Sequence, residues 1–124
     1  MEGVSNSILV VDDNAVVAMD IEAEAIKLGY SVRVTGDPKT ALELAKTIPF
    51  TAAFVDVTLR KRFDGLDVAR ALARDASTRV VILTGYSPAE LAGRMDGLTG
   101  VPVIYKPAEE GAISSFLQSL VSMA

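Results

Sequence analysis

The sequence contains no cysteine, no histidine and no tryptophan. Without cysteine there are no disulfides, thiol nucleophiles, iron–sulfur clusters or thiolate zinc sites. Without histidine the commonest metal ligand and the usual general base are also missing. Any chemistry therefore runs on carboxylates, hydroxyls, lysine and arginine. Aromatics are scarce, at 6%. Long hydrophobic runs are absent too: the apolar stretches, such as Arg79–Leu83, fall far short of the ~20 residues that cross a bilayer. The first residues, Met1–Ser7, lack the basic and apolar regions of a signal peptide. A cytoplasmic location without membrane contact is the simplest expectation. The 12 basic residues are outnumbered by 16 acidic ones, for a formal charge of −4, which argues against direct DNA binding.

What is present is an ordinary globular composition, half apolar and 23% charged, over 124 residues. That length predicts a single domain, 1–124, with no room for an output domain. Ser7–Asp12 is a short run of mostly branched apolar residues ending in acid, as in a strand buried on both faces. From Asn14 to Leu28, Val17, Ile21, Ala25 and Leu28 recur at helical spacing, and Gly29 stops the helix. Val32 and Val34 mark a short alternating strand. Asp37–Pro38 opens a helix with the stripe Ala41, Leu44, Ala45 and Ile48. Thr51–Val57 is a second buried strand run, and Leu66, Ala69, Leu72 and Ala73 define a third helix. Arg79–Thr84 is another strand, Ser87–Met95 a fourth helix, Val101–Tyr105 a fifth strand. Ile113, Phe116, Leu117, Leu120 and Val121 give a fifth helix. Five consecutive βα units predict an α/β fold with a parallel sheet covered on both faces. The fourth helix is the weak one. Gly93, Gly97 and Gly100 lie close together, each costing about 1 kcal/mol in a helix, which predicts a mobile surface or a loop there.

Ligands of open α/β sheets sit beyond the carboxyl ends of the strands. At that edge the first strand delivers Asp12 and Asp13, the third Asp56, the fourth Thr84, and the fifth Lys106 followed by Pro107. Converging carboxylates repel one another unless a cation intervenes. Oxygen donors without histidine favour Mg²⁺, and the ammonium and hydroxyl suit a phosphoryl group. Taken singly, each has a plain structural explanation: Asp12–Asp13 could cap the next helix, Asp56 or Lys106–Pro107 could sit in a turn, and Thr84 could be a simple strand former. Together, at four strand ends, they form a constellation.

The stretches Ile8–Asp13, Val55–Asp56, Ile82–Gly85 and Lys106–Pro107 resemble a response-regulator receiver domain, CheY-like, of two-component signalling. The resemblance covers essentially the whole chain. It implies the flavodoxin-like (βα)5 three-layer sandwich with sheet order 2-1-3-4-5. It also implies a phosphorelay module in which Asp56 accepts a phosphoryl group from a sensor histidine kinase or histidine phosphotransferase, self-catalysed rather than by a turnover enzyme. Asp13 would bind Mg²⁺ directly and Asp12 through water, with the Thr58 main-chain carbonyl completing the site. Thr84 and Lys106 would hold phosphoryl oxygens, and the peptide before Pro107 would be cis. Downstream, the resemblance allows a target protein, onward relay or a phosphate sink, and a homodimer.

The chain departs from the family pattern in several places. Arg60 stands where a proline is usual, the loop from Asp56 to Asp64–Gly65 is one residue longer than the common form, and Arg60–Lys61–Arg62 fills it. The usual switch aromatic on the fifth strand is Val103, leaving Tyr86 and Tyr105 as candidates for its role; the plainer expectation is that Tyr105 packs under the fourth helix and Tyr86 lies on the surface. Thr58 and Tyr86 both border the path of a hydrolytic water. Two other readings compete: a Mg²⁺-dependent phosphohydrolase on the same fold, and a degenerate docking-only receiver.

Overall fold

The first, third and fourth strand runs are almost wholly apolar and buried, so they must be covered on both faces, and the ten short elements found among the described residues accomplish this. The computed structural model describes residues 6–59, 64–75, 77–109 and 111–122. The basic run at 60–62 lies outside the described residues, as does the side chain of Val121. In chain order the elements are β1 (Ser7–Val11), α1 (Ala15–Lys27), β2 (Ser31–Thr35), α2 (Pro38–Thr47), β3 (Ala52–Asp56), α3 (Asp64–Ala73), β4 (Arg79–Thr84), α4 (Pro88–Leu91), β5 (Val103–Tyr105) and α5 (Ala112–Ser122). The five strands form one parallel sheet in the order β2-β1-β3-β4-β5, the flavodoxin-like arrangement that the family resemblance implies.

Strand alternation splits the core in two. Leu9, Val11, Ala53, Val55 and Ile82 face α2 and α3. Ile8, Val10, Phe54, Val81 and Leu83 face α1 and α5, where Phe54 meets Phe116 edge-on at 5.4 Å. Each fully buried Leu, Ile or Phe contributes roughly 1.5–3 kcal/mol of transfer free energy, so this double core is what fixes the sheet and its upper edge. Among the described residues no helix is long and apolar enough to cross a membrane.

Helix boundaries follow local chemistry. The Asn14 side chain accepts from the amides of Val16 and Val17 to start α1. Asp12–Asp13 is therefore not the cap of that helix. Asp37 caps α2 ahead of Pro38. Leu28 is not part of the buried stripe of α1; it is the exposed C-cap, and Gly29 follows at φ 91°.

Two expected elements are shorter than their periodicity suggests. Helix α4 starts with a capping box between Ser87 and Glu90 but ends at Leu91 instead of reaching Met95. Gly93 and Gly97 adopt φ values of 83° and 80°, which no α-helix accommodates. Strand β5 begins at Val103 rather than Val101. Pro102 has no N–H for the ladder, although its carbonyl still accepts from Ile82 N–H at 2.9 Å.

Candidate functional site: an acidic cluster bridged by a lysine

Parallel register brings the strand ends level: Val11 pairs with Val55, Asp56 with Leu83, and Thr84 with Tyr105. The residues just past those pairs form the site. Carboxylate oxygens of Asp12, Asp13 and Asp56, one from each, all lie within 4.8 Å of one another. Asp12 and Asp56 are buried and Asp13 is exposed. The Lys106 ammonium donates to Asp12 Oδ2 and to Asp56 Oδ2, both at 3.0 Å, and so ties the first, third and fifth strands together. The other oxygens are occupied as well. Asp12 Oδ1 accepts from Asn14 N–H at 2.8 Å, and Asp56 Oδ1 from Thr58 N–H at 3.1 Å. The peptide from Lys106 to Pro107 is cis, as expected.

Charge is costly in this position. Burial pushes the Asp56 carboxyl up to about 6; the Asp12 charge pushes it the same way, while the Lys106 hydrogen bond and charge and the Thr58 amide pull it back. For Lys106, burial works to lower the ammonium, but its bonds to both carboxylates outweigh burial and raise it above its ordinary value. Three hard oxygen donors arranged this closely are a donor set that fits Mg²⁺.

Thr84 is fully buried beside this cluster, at the step after the register partner of Asp56. Its hydroxyl accepts from Tyr86 N–H at 2.9 Å, and its carbonyl accepts from Lys106 N–H at 2.6 Å. The two tyrosines divide differently from a simple expectation that Tyr105 packs under the fourth helix and Tyr86 lies on the surface. Tyr86 is half-buried against the α3-side core, whereas Tyr105 is 41% exposed. Tyr105 shares the parity of Val103, which packs against that core.

Two glycines complete the site: Gly36, not singled out from the sequence, and Gly65, legible there only as the end of the loop after Asp56. A Cβ on Gly36 would lie 3.0 Å from Asp13 Cα, and one on Gly65 would lie 1.6 Å from the Asp56 carbonyl oxygen. Gly65 also donates its N–H to Val57 O at 3.0 Å. A glycine inside the first turn of a helix, where alanine would be better by about 1 kcal/mol, was the available signal.

The sequence profile of the response regulator receiver domain matches residues 8–118. The chain belongs to that family. The transcriptional regulatory protein PdtaR of Mycobacterium tuberculosis is 30% identical over 105 residues, 84% of this chain and 51% of that protein. The acid tolerance regulatory protein ActR of Rhizobium meliloti is 29% identical over 116 residues, 93% of this chain and 59% of that protein. The receiver thus spans about half the length of these curated relatives. Among solved structures, the receiver domain of a DNA-binding response regulator from Colwellia psychrerythraea superposes with a TM-score of 0.80 at 19% identity, covering 94% of this chain and 98% of that one. The chemotaxis response regulator CheY4 of Vibrio cholerae gives 0.78 at 20% identity, covering 94% and 99%. These two likenesses establish the fold of the receiver.

Proposed function

We propose that this receiver is the phosphoacceptor module of a two-component relay, accepting a phosphoryl group on Asp56 from a sensor histidine kinase or a histidine phosphotransferase. The observation that carries the reading is the Asp56 carboxylate itself: buried at the end of the central strand, bonded to Lys106, and clustered with Asp12 and Asp13. An Asp56 oxygen attacks phosphorus. The new P–O bond forms as the P–N bond of the phosphoimidazole breaks, and the ring leaves neutral from its protonated form. Asp12, Asp13 and Asp56, with the Thr58 carbonyl, would hold Mg²⁺, which supplies charge neutralisation for the phosphoryl oxygens.

The chain's own groups do the rest. Lys106 presents an ammonium to the oxygens on which charge accumulates. The Thr84 hydroxyl accepts one bond from Tyr86, so its own proton remains to be donated to a phosphoryl oxygen. Phosphorylation adds about −1.5 to −2 charge where a single carboxylate stood, drawing Thr84 and with it Tyr86. A groove of about 380 Å³ between α1 and α5, lined in part by Val17, Lys106 and Pro107, gives the phosphodonor an approach beside the site. The acyl phosphate is released by water attack at phosphorus, a self-catalysed reaction of one acceptor rather than enzymatic turnover on a substrate. A phosphohydrolase of the haloacid-dehalogenase type would place a second aspartate two residues after the nucleophile as its acid/base, and Thr58 stands there instead. A downstream protein target, a phosphate sink and a homodimer are all compatible with this chemistry.

Incubation with acetyl phosphate and Mg²⁺ followed by intact-mass measurement tests the reading. The expected result is one added phosphoryl group on the wild type and none on Asp56→Asn; an unmodified wild type, or a modified Asp56→Asn, overturns it.

A further inference from the structure

Between α4 and β5 the chain runs without regular structure, and it is held down in an unusual way. Leu91 and Leu98 are its apolar pins, 3% and 2% exposed. Between them, residues 92–97 form a strap that turns at the left-handed Gly93 and Gly97. Irregular backbone leaves carbonyls without helical partners, and Arg70 of α3 takes two of them. Its Nε donates to Asp96 O and its Nη2 to Arg94 O, both at 2.6 Å, while Nη1 donates to Asp67 Oδ1 at 3.1 Å. A planar guanidinium fork can serve two carbonyls at once; an ammonium is a single point of charge. The arginine stem also lies 3.8 Å from the place a Cβ on Gly97 would take.

The same helix is seated on the candidate phosphoacceptor at its other end. Gly65 lies directly against the Asp56 carbonyl and bonds Val57 O. Five residues of helix, roughly 7.5 Å, separate Gly65 from Arg70. A helix over so short a span moves as a rigid piece, so a displacement at Gly65 carries the guanidinium with it.

We propose that Arg70 is a positioning residue, a latch that fastens the 92–97 strap to α3 and releases or shifts it when α3 moves at Asp56. The latch is a property of the resting chain. Its coupling to Asp56 rests on the reading of Asp56 as phosphoacceptor. In this arrangement the strap replaces the missing turns of α4 as the element that reports the state of the site.

Hydrogen–deuterium exchange on the full chain tests both halves. Arg94 N–H bonds Leu91 O and Leu98 N–H bonds Met95 O, each at 2.9 Å, and these two amides are the reporters. Wild type, Arg70→Ala and Arg70→Lys are compared with and without Mg²⁺ and beryllofluoride, with ¹⁹F NMR recording whether beryllofluoride is bound at Asp56. At rest, Arg70→Ala should exchange at these amides about tenfold faster, and Arg70→Lys should fail to restore protection, because one ammonium cannot replace the fork. With beryllofluoride bound in both proteins, exchange in the strap should change in wild type and not in Arg70→Ala. Unchanged resting exchange in Arg70→Ala overturns the latch. An equal beryllofluoride response in wild type and Arg70→Ala overturns the coupling. Absence of bound beryllofluoride in wild type counts against Asp56 as acceptor and removes the coupling, while the resting comparison still decides the latch.

Discussion

A methyl group on Gly65 would lie 1.6 Å from the carbonyl oxygen of Asp56. The first turn of α3 and the end of β3 are therefore in contact through bare backbone, and no side chain fits between them. Gly65→Ala should cost about 1–3 kcal/mol by overpacking and also shift Asp56 relative to Lys106. Chemical denaturation and acetyl-phosphate labelling would both register the change. Gly85→Ala is the contrast: nothing lies within 4 Å of its Cβ, so its stability should stay within about 0.5 kcal/mol of wild type. Equal stability of the two variants would contradict the contact.

Asp56 gives the metal-free protein a pH dependence of a definite sign. Its carboxyl is raised from 3.8 to about 6 in the fold, so between those values the folded state binds more protons than the unfolded one. The contribution of this group to stability is fully present below the unfolded value and is lost as pH rises through about 6. Mg²⁺ affinity should run the other way, growing as the proton leaves. Asp12→Asn should lower the Asp56 titration midpoint by removing a repelling charge. Carbon-detected NMR titration of the carboxyl groups checks both; a midpoint unmoved by Asp12→Asn would remove Asp12 as a cause.

Lys106→Ala leaves Asp12 and Asp56 facing each other without their shared ammonium. The Asp56 titration should move above about 6, and stability at neutral pH should fall by about 2 kcal/mol. That is less than a fully buried pair would lose, since the lysine side chain is 22% exposed. Mg²⁺ should still bind, because the carboxylates remain, whereas the spectral change on phosphorylation should be lost. A variant that switches like wild type would refute the role given to Lys106.

Of the first-strand pair, Asp13 should matter more for the metal. The Asp12 carboxylate is buried beneath the cluster, while Asp13 is exposed at its edge, where a hydrated ion can reach it. Mg²⁺ titration should show a larger loss for Asp13→Ala than for Asp12→Ala; the reverse order would overturn the assignment.

Tyr86 and Tyr105 should separate cleanly. Tyr86 packs on the core beside Thr84, so Tyr86→Ala should cost about 1–2 kcal/mol and alter the half-life of the phosphorylated form. Tyr105 is 41% exposed, and Tyr105→Ala should stay within about 0.5 kcal/mol. Identical phosphate decay in wild type and Tyr86→Ala would remove Tyr86 from the site.

Much of this protein was determined by the sequence alone. Short unbroken apolar runs such as Ile8–Val11 and Val80–Leu83 suit strands covered on both faces, and helical spacing between them implies a parallel order of βα units. Asp12, Asp13, Asp56, Thr84 and Lys106 follow from that order, because parallel strands put their carboxyl ends at one edge. Other features depended on tertiary contacts that no local pattern encodes. Helix α4 stops at Leu91 although its apolar spacing continues, since Gly93 and Gly97 take left-handed turns and Arg70, distant in sequence, supplies the carbonyl partners a helix would have given. Tyr105 has the parity of Val103, which packs on the core, yet it is exposed. Gly65 looks like a poor helix former until the Asp56 carbonyl is seen to fill the space of its side chain. Periodicity records which face a residue turns to; what stands opposite that face is decided only when distant segments meet.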